Sequence, residues 1–260
     1  MKEEVVENTR EKVSAVVITL NEESNLPKCL DSIQWMDEIV VVDAGSQDDT
    51  CNLAKRYTEK VFQKNFVDYA SQKNYGVSRA SNDWIFSIDA DEVMPLQLKA
   101  EVENILSQET KEQMFAVPRQ NIFFGHHLKY VLGRDEPVRL FRRSIAHFEG
   151  PVHEKVVGGT VGRLSAPLLH YSCNSYREWV QKHRRYVRID ARRQFKQGRC
   201  FSWIRLCLSP WRTFFYRYAL LEGWKDGWAG FTVALEMSFS MFLFQIELRR
   251  LARLTKVPCK

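Results

Sequence analysis

The chain turns from apolar to acidic within one stretch, Trp84-Ile-Phe-Ser-Ile-Asp-Ala-Asp-Glu92. The apolar part is typical of a strand buried on both faces in a parallel sheet. Because an unpaired carboxylate is costly to bury, we expect the strand to leave the core at Asp89. Ligands of open α/β sheets bind beyond the carboxyl ends of the strands, and paired aspartates can hold a divalent cation there. The stretch therefore predicts a metal-assisted nucleotide site, with a simple acidic cap before Pro95 as the alternative.

Two stretches nearer the N-terminus have the same character. Val13–Leu20 and Glu38–Val42 are apolar and rich in β-branched residues, which predicts buried strands. Segments with helical spacing separate them from each other and from Trp84, so we expect a right-handed, mostly parallel sheet flanked by helices. The strand ends would then meet at one edge, formed by residues 19–22, 43–49 and 89–92. Neither a Walker sequence nor G-x-G-x-x-G occurs at these turns, which argues against a P-loop NTPase and a dinucleotide-binding fold.

Charge divides the chain into two parts. Residues 176–260 carry 18 Lys and Arg against 6 Asp and Glu, a net charge of +12, whereas residues 1–175 carry a net charge of −6. Aromatic and basic residues alternate in the basic part, which favours an interface with anionic lipid. Trp228–Ile246 is almost long enough to span a bilayer, but Glu236 at its centre favours lying on the membrane or packing into the protein. The alternative is a helical subdomain with a solvated basic face.

The cysteines and the N-terminus indicate the compartment. The six cysteines are scattered and form no C-x-x-C pair. Residues Met1–Glu7 are too acidic and too polar for a signal peptide. These features predict a cytosolic protein with free thiols and argue against a disulfide framework or a zinc site.

Several motifs together resemble family 2 glycosyltransferases, which have the GT-A fold. The stretches similar to the nucleotide-sugar half of that family are the strand before Asn21-Glu22, the strand before Asp43 with Gly45-Ser46 and Asp49-Thr50, Gln72–Gly76, and Asp89–Glu92. Two later stretches resemble the subgroup that contains bacterial lipopolysaccharide core β-glucosyltransferases, namely Gly150-Pro-Val-His-Glu154 and Asp226–Gly230. The resemblance covers about residues 13–250.

The resemblance implies two domains. Residues 1–175 would form an α/β, GT-A-like catalytic domain, with the nucleotide-sugar site in 13–92 and the acceptor side in 93–175. Short strand-like pieces between residues 115 and 171 would form an antiparallel extension that shapes the acceptor pocket. Residues 176–260 would form a helical, basic and aromatic extension at the membrane interface.

The resemblance also implies how the donor is bound. Asp43 would accept hydrogen bonds from the uracil or ribose, for which a carboxylate is a strong acceptor; the alternative is a turn aspartate. Lys73 would meet the diphosphate as a point charge, with an exposed helix lysine as the alternative. The residues implied to bind the donor are Thr19, Asn21, Glu22, Asp43, Ser46, Lys73 and Asp89.

A divalent metal, Mn²⁺ or Mg²⁺, is implied at the acidic turn. Asp91 would be the principal ligand, and Asp89 would lie nearer the ribose and the metal-bound waters. The ion would stabilise the charge of the departing nucleoside diphosphate. His153 would be a further ligand, and an imidazole beside the aspartates would favour Mn²⁺.

Glu154 is the implied general base, because inversion at an anomeric carbon needs a group that takes the proton of the attacking hydroxyl. Many relatives carry a Glu-Asp pair at this point, whereas this chain has His153-Glu154, so His153 is a second candidate. The alternative is a structural His-Glu pair that closes a loop. The remaining histidines are interpreted as structural: His126, His127, His147, His170 and His183.

The expected function is inverting, metal-dependent transfer of a hexose, in the first instance glucose from UDP-glucose, to a lipopolysaccharide inner-core or other lipid-linked sugar. The expected partners are the nucleotide-sugar donor, the lipid-linked acceptor and the anionic cytoplasmic face of a bacterial inner membrane, without nucleic acid.

A sugar-1-phosphate nucleotidyltransferase is one alternative, but it would need a Gly-rich loop where the chain has Thr19–Glu23. A basic nucleic-acid-binding or scaffold protein is another; it would use Lys182–Arg199 and leave the acidic front half without a role.

Overall fold

The structure is a computed structural model that describes residues 10–150, 154–171 and 176–255. The chain divides into two compact units, Met1–Gln120 with Asp135–Tyr171 and Asn121–Arg134 with Ser172–Lys260. The strands are β1 (Val13–Thr19), β2 (Glu38–Asp43), β3 (Val61–Gln63), β4 (Trp84–Asp89), β5 (Glu92–Val93), β6 (Met114–Ala116), β7 (Arg119–Phe123), β8 (His126–Leu128), β9 (Val138–Arg142), β10 (His147–Glu149), β11 (Lys155–Val157), β12 (Val161–Arg163) and β13 (Leu168–Tyr171). The α-helices are α1 (Leu26–Ile33), α2 (Thr50–Ala54), α3 (Tyr69–Arg79), α4 (Leu96–Leu106), α5 (Tyr176–Lys196), α6 (Trp203–Phe215) and α7 (Gly227–Thr255).

The central sheet of the first unit explains why the strand ends meet. β1 lies between β2 and β4, all three run parallel, and β3 continues the parallel sheet beside β2. The register pairs Thr19 with Asp43 and Ile18 with Asp89. The carboxyl ends of these strands therefore form one polar edge, as the sequence predicted.

The other half of this sheet is partly antiparallel. β9 lies between β4 and β6 and runs antiparallel to both, and β12 pairs parallel to β6. Leu140 pairs with Phe86 and Phe141 with Ile85, and all four side chains are buried. The burial of these apolar residues explains why β9 joins the main sheet instead of a separate extension. The predicted α/β fold class, with a mostly parallel sheet flanked by helices, is confirmed.

Opposite faces of β1 pack against different helices. Ala15 and Val17 lie in a core cluster with residues of α1 and α4, and Val16 lies in a second cluster with residues of α3. A side-chain carbon at Gly76 would come within 2.5 Å of Val16 Cγ1, so a glycine is needed for the close approach of α3 to the sheet. Lys73 lies one helical turn before Gly76 on the same face of α3 and is therefore also turned inward.

The second unit is mainly helical, which confirms the predicted helical C-terminal extension. Asn121 of β7 pairs with Leu128 of β8 in a hairpin. The Asp226 carboxylate accepts hydrogen bonds from three successive backbone N–H groups, at 2.9–3.0 Å, from Lys129, Tyr130 and Val131. This carboxylate joins the hairpin to the turn that precedes α7.

The final helix is long and apolar. With the turn before it, Gly223–Thr255 comprises 33 residues, and an 18-residue stretch within it has a mean hydropathy of 1.4, which by length and composition is enough to cross a membrane; 44% of that stretch is buried inside the protein. The core helix of a soluble protein can have the same length and composition. These two properties alone therefore do not show a membrane span.

Candidate active site

The loops after β1 and β2 are hydrogen-bonded to each other at the carboxyl edge of the sheet. Asn21 has a positive φ of 55°. Its backbone N–H donates to the Ser46 hydroxyl, and its side-chain oxygen accepts from the Gln47 N–H, both at 2.8 Å. The Glu22 carboxylate accepts from the Asn25 side chain at 2.8 Å, just before α1. Three of the residues expected at the donor site, Asn21, Glu22 and Ser46, thus lie in two loops that hydrogen bonds hold together.

Asp43 is fully buried at the end of β2. Its Oδ2 accepts from the backbone N–H groups of Gly45 and Ser46, each at 2.9 Å, and its Oδ1 accepts from the Ser46 hydroxyl at 2.5 Å. Asp43 therefore acts as a turn aspartate in the described chain, and its contact with a nucleoside stays a prediction.

Thr19, the partner of Asp43 in the sheet register, has a buried Oγ1 without a hydrogen-bond partner among the described residues. Such a group can be satisfied by a bound ligand.

Lys73 connects two candidate site residues. Its Nζ lies 3.1 Å from Asp89 Oδ1 and 2.8 Å from Glu154 Oε1. Only 4% of the side chain is exposed, so the alternative of an exposed helix lysine is wrong. The ammonium group joins the first aspartate of the acidic turn to the candidate general base.

A buried arginine that the sequence analysis did not single out neutralises the same turn. Arg139 Nη2 lies 3.0 Å from Asp89 Oδ2 and 2.5 Å from Glu92 Oε1. Burial opposes ionisation of Asp89, but the charges of Lys73 and Arg139 hold the pKa of Asp89 well below its ordinary value. Burial raises the pKa of Glu92, although the charge of Arg139 opposes that shift. Both oxygens of Asp89 are thus already engaged by cations of the protein itself.

Asp91 lies beside a histidine. His170 Nε2 is 3.2 Å from Asp91 Oδ2, because β13 pairs with β5 and sets His170 opposite Glu92. The backbone N–H of Tyr171 donates to the Asp91 carbonyl at 2.8 Å. His170, interpreted from the sequence as structural, therefore lies next to the candidate metal ligand.

The acidic turn does not act as a helix cap. The N-cap of α4 is Pro95, and no side chain caps that helix. The three carboxylates pair instead with Lys73, Arg139 and His170. The alternative of a simple acidic cap before Pro95 is therefore wrong.

The candidate metal-binding side chains suit a divalent ion that the protein holds only in part. Among residues 10–150, 154–171 and 176–255, no three His, Cys, Asp or Glu side chains are grouped closely enough to hold a metal. The carboxylate of Asp91 and the imidazole of His170 are adjacent groups of the types that bind divalent ions. Mg²⁺ commonly takes one or two carboxylates and completes its shell with water and substrate phosphates, and imidazole also suits Mn²⁺. His153, the other predicted ligand, lies outside the described residues.

Comparison with known proteins identifies the family. The model of glycosyl transferase family 2 matches residues 14–146. The lipopolysaccharide core biosynthesis glycosyltransferase LpsC of Rhizobium meliloti is 30% identical over 242 residues, which cover 89% of this chain and 89% of LpsC. An uncharacterized glycosyltransferase of Rickettsia typhi is 28% identical over 256 residues, which cover 93% of this chain and 88% of that protein.

Among solved structures, glucosyl-3-phosphoglycerate synthase from Mycobacterium tuberculosis, in complex with Mg²⁺ and UDP, is 26% identical with a TM-score of 0.36. That match covers 40% of this chain and 42% of the synthase. The family assignment depends on the family model and on LpsC, each of which covers at least half of the chain. By these matches, the chain belongs to glycosyl transferase family 2.

Proposed function

We propose that the protein is an inverting glycosyltransferase that moves a hexose to a hydroxyl of a lipopolysaccharide inner-core or other lipid-linked sugar. The proposed hexose is glucose, and the proposed donor is UDP-glucose. The observation that carries the proposal is the carboxyl edge of the sheet, where Asp91 and Glu154 flank the half-buried Asp89 and its two buried cations, Lys73 and Arg139. Membership of family 2 and the similarity to LpsC supply the reaction class. Residues 1–175 would be the catalytic domain, and residues 176–260 its membrane-facing extension.

The donor would bind at the loops after β1 and β2. The Thr19 hydroxyl is buried without a hydrogen-bond partner among the described residues, and with the hydrogen-bonded Asn21, Glu22 and Ser46 it would supply polar groups for the uracil and ribose. A ribose hydroxyl would replace the Ser46 hydroxyl as the donor to Asp43 Oδ1. The buried Lys73 would supply a positive charge toward the diphosphate.

A divalent ion would be held by Asp91 and His170, and we retain His153 as a proposed further ligand. When bound, the ion would supply Lewis-acid stabilisation of the negative charge on the leaving diphosphate. Asp89 has a different role in this scheme. Because it is engaged by Lys73 and Arg139, it would fix those two cations and reach the ion only through water.

Glu154 would act as the general base. The acceptor oxygen forms a bond to the anomeric carbon while the bond from that carbon to the diphosphate oxygen breaks, and its electron pair leaves with UDP. The hydroxyl proton passes to the Glu154 carboxylate, which Lys73 holds at 2.8 Å. Attack on the face opposite the leaving group inverts the configuration. His153 is the other candidate for this proton transfer.

The acceptor and the cellular location follow from the second unit and the relatives. The name of LpsC assigns that protein to lipopolysaccharide core biosynthesis, which supports a lipid-linked saccharide as acceptor here. The net charge of +12 in residues 176–260 supports peripheral binding to the anionic cytoplasmic face of the inner membrane.

Ligand-dependent thermal stability tests the donor site. UDP and UDP-glucose should raise the Tm of the purified protein in the presence of Mn²⁺, because a ligand at 100 times its Kd adds about 2.7 kcal/mol to the native state. Asp91→Asn should lose the Mn²⁺-dependent part of the shift. The matched control Asp31→Asn, an exposed aspartate of α1, should keep it. Absence of a shift with any nucleotide sugar in the wild-type protein would refute the proposed donor site.

A further inference from the structure

α7 exposes large apolar side chains and buries several polar ones among the apolar residues of its inner face. Its exposed large side chains recur every three or four residues and form one line along the helix, the α7 stripe: Trp228, Phe231, Leu235, Phe239, Phe242 and Ile246. Five polar residues of α7 are buried beside apolar ones such as Val233, Phe244 and Leu248: Glu236, Ser238, Ser240, Gln245 and Glu247. A surface helix of a water-soluble protein has the opposite arrangement. The α7 stripe is therefore suited to an apolar environment.

α6 has a similar exposed face. Every residue of α6 is described and none of them is buried. Its exposed apolar side chains form the α6 stripe: Trp203, Ile204, Leu208, Trp211 and Phe215. Arg205 and Arg212 are also exposed and, being seven residues apart, lie together along one edge of this stripe. An apolar face bordered by arginines is typical of helices at a lipid interface.

α6 and α7 form an antiparallel pair within the second unit. The Ser238 hydroxyl donates to the Pro210 carbonyl at 2.8 Å. The Arg249 guanidinium lies 4.6 Å from the centre of the Trp203 indole. Since these two contacts occur in opposite order along the two helices, α6 and α7 run in opposite directions side by side. The unit thus presents two adjoining helices, each with an apolar stripe.

α5 adds positive charge beside the middle of α7. Ala191 packs with Phe244 and Leu248, and His183 Nε2 lies 4.0 Å from the Glu236 carboxylate. The intervening part of α5 therefore runs along the central stretch of α7. Within the described chain its exposed arginines make no ion pair with a carboxylate: Arg184, Arg185, Arg188, Arg192 and Arg193. These charges are available to phosphate groups.

We propose that α6 and α7 lie in the plane of an anionic phospholipid bilayer, with both stripes at the boundary between headgroups and acyl chains and the arginines at the phosphates. The inference depends on the membrane location in the proposed function and specifies its binding surface. The occupant is lipid rather than a second copy of the chain, because a symmetric contact would oppose the arginines of one copy to those of the other. Phosphate headgroups complement the same arginines.

α7 does not span the bilayer in this arrangement. α5 runs beside its centre, so a spanning α7 would draw Arg188 and its neighbours into the hydrocarbon, where a charged side chain is costly. An in-plane α7 keeps Glu236 inside the protein, where the Ser240 hydroxyl donates to its carboxylate at 3.1 Å. The polar interior and the apolar exterior of the helix are then both satisfied.

Flotation with vesicles tests the surface. The full chain is mixed with vesicles of equal parts phosphatidylcholine and phosphatidylglycerol, and the bound fraction is compared with that of Trp211→Glu and Leu235→Glu. Each variant places a charge in a stripe and should lower the partition coefficient at least about tenfold. The matched control Leu96→Glu alters an 80%-exposed leucine at the start of α4 and should bind like wild type. Wild-type binding by both stripe variants would overturn the proposal.

Fluorescence quenching tests the depth. Vesicles with bromine near the headgroup end of the acyl chains should quench the protein more than vesicles with bromine near the chain ends, and Trp211→Phe should remove part of that quenching. Equal or stronger quenching by the deep bromines would favour a span and contradict the in-plane arrangement. Trp211→Phe is conservative, so this result does not depend on how a glutamate variant folds.

The two proposals can fail separately. The Mn²⁺-dependent shift of Tm with UDP, measured without vesicles, should be the same in wild type, Trp211→Glu and Leu235→Glu. A normal shift with unchanged vesicle binding in the stripe variants would refute the lipid surface alone. No shift in any of the three proteins, with vesicle binding lost in the stripe variants, would refute the donor site alone.

Discussion

The two ends of the central sheet both bury a carboxylate against a lysine, but they do so differently. At the amino end of β2, Glu38 accepts hydrogen bonds from the hydroxyls of Ser14 and Ser81 and the N–H of Ser81, and it pairs with Lys60. Lys60 is 40% exposed. One acid is thus satisfied by ordinary neighbours and a solvated cation. This end is a structural ion pair.

The carboxyl end concentrates more charged side chains, and both of its cations are buried. Lys73 and Arg139 are both buried, and together they face Asp89, Glu92 and Glu154. Arg139 Nε is buried without a hydrogen-bond partner within the described ranges. Strained or unsatisfied polar groups persist where function requires them. The difference between the two ends supports the carboxyl edge as the proposed site.

Removal of the candidate base should give the largest effect. Glu154→Gln keeps the shape of the side chain but cannot accept the proton of the acceptor hydroxyl, so kcat should fall by about 10²–10⁴-fold. The Tm shift with UDP should be unchanged, because the proposed role of Glu154 is toward the acceptor and not the donor. The control Glu149→Gln, an exposed glutamate in β10, should retain kcat. Equal kcat in Glu154→Gln and wild type would assign the base to another residue.

Loss of the buried arginine at the carboxyl end should destabilise the protein more than loss of the lysine at the amino end. Arg139→Met leaves Asp89 and Glu92 partly uncompensated in the interior and should lower the free energy of unfolding by about 3–5 kcal/mol. Lys60→Met removes the more exposed cation at the amino end and should cost about 0–1 kcal/mol. Urea unfolding of both variants measures the difference. Similar losses would show that the two charge clusters are equivalent.

Acid titration should expose the structural role of Glu38. Burial opposes its ionisation, but the bonds from Lys60, Ser14 and Ser81 lower the pKa of Glu38 to about 2. A carboxyl whose pKa is lower in the folded state stabilises the protein above its unfolded pKa, and that contribution disappears as the pH falls. Glu38→Gln should therefore be less stable than wild type by about 2 kcal/mol at neutral pH. The gap should close between about pH 4.5 and 2; a gap independent of pH would contradict this role.

The ion pair between Lys73 and Glu154 should have a measurable coupling free energy, smaller than the effects above. In a double-mutant cycle of Lys73→Met and Glu154→Gln, the unfolding free energies should deviate from additivity by about 1 kcal/mol, as expected for side chains in contact. The same cycle with Glu149→Gln should be additive, because that side chain is exposed at the surface. Additivity in both cycles would mean that the contact of 2.8 Å has no energetic consequence.

The sequence predicted the local features of the site and missed those that depend on distant pairing. The apolar run ending at Asp89 was sufficient to predict β4 and its polar end. Arg139 was missed, because an arginine within Val138–Phe141 has the pattern of a half-exposed strand. The signal that could have found it is charge balance: three carboxylates at a buried turn need cations. His170 lies at the candidate site only because β13 pairs with β5, which the sequence does not reveal.

The C-terminal helix shows the same limit. The apolar stretch 228–246 and its central Glu236 were evident from the sequence. The burial of Glu236, Gln245 and Glu247 was not, because it depends on packing within the second unit. Without that burial pattern, the outward orientation of the apolar residues could not be deduced.

Glucose transfer tests the central claim most directly. The protein is incubated with isotope-labelled UDP-glucose, Mn²⁺ and a membrane extract that contains lipid-linked saccharides, and labelled lipid and released UDP are both measured. Wild type and Glu38→Gln should transfer glucose with release of one UDP per transfer, whereas Asp91→Asn should lose about 10²-fold or more of the rate. Transfer by Asp91→Asn at the wild-type rate, or an equal loss in Glu38→Gln, would contradict the assignment of the site to the carboxyl edge of the sheet.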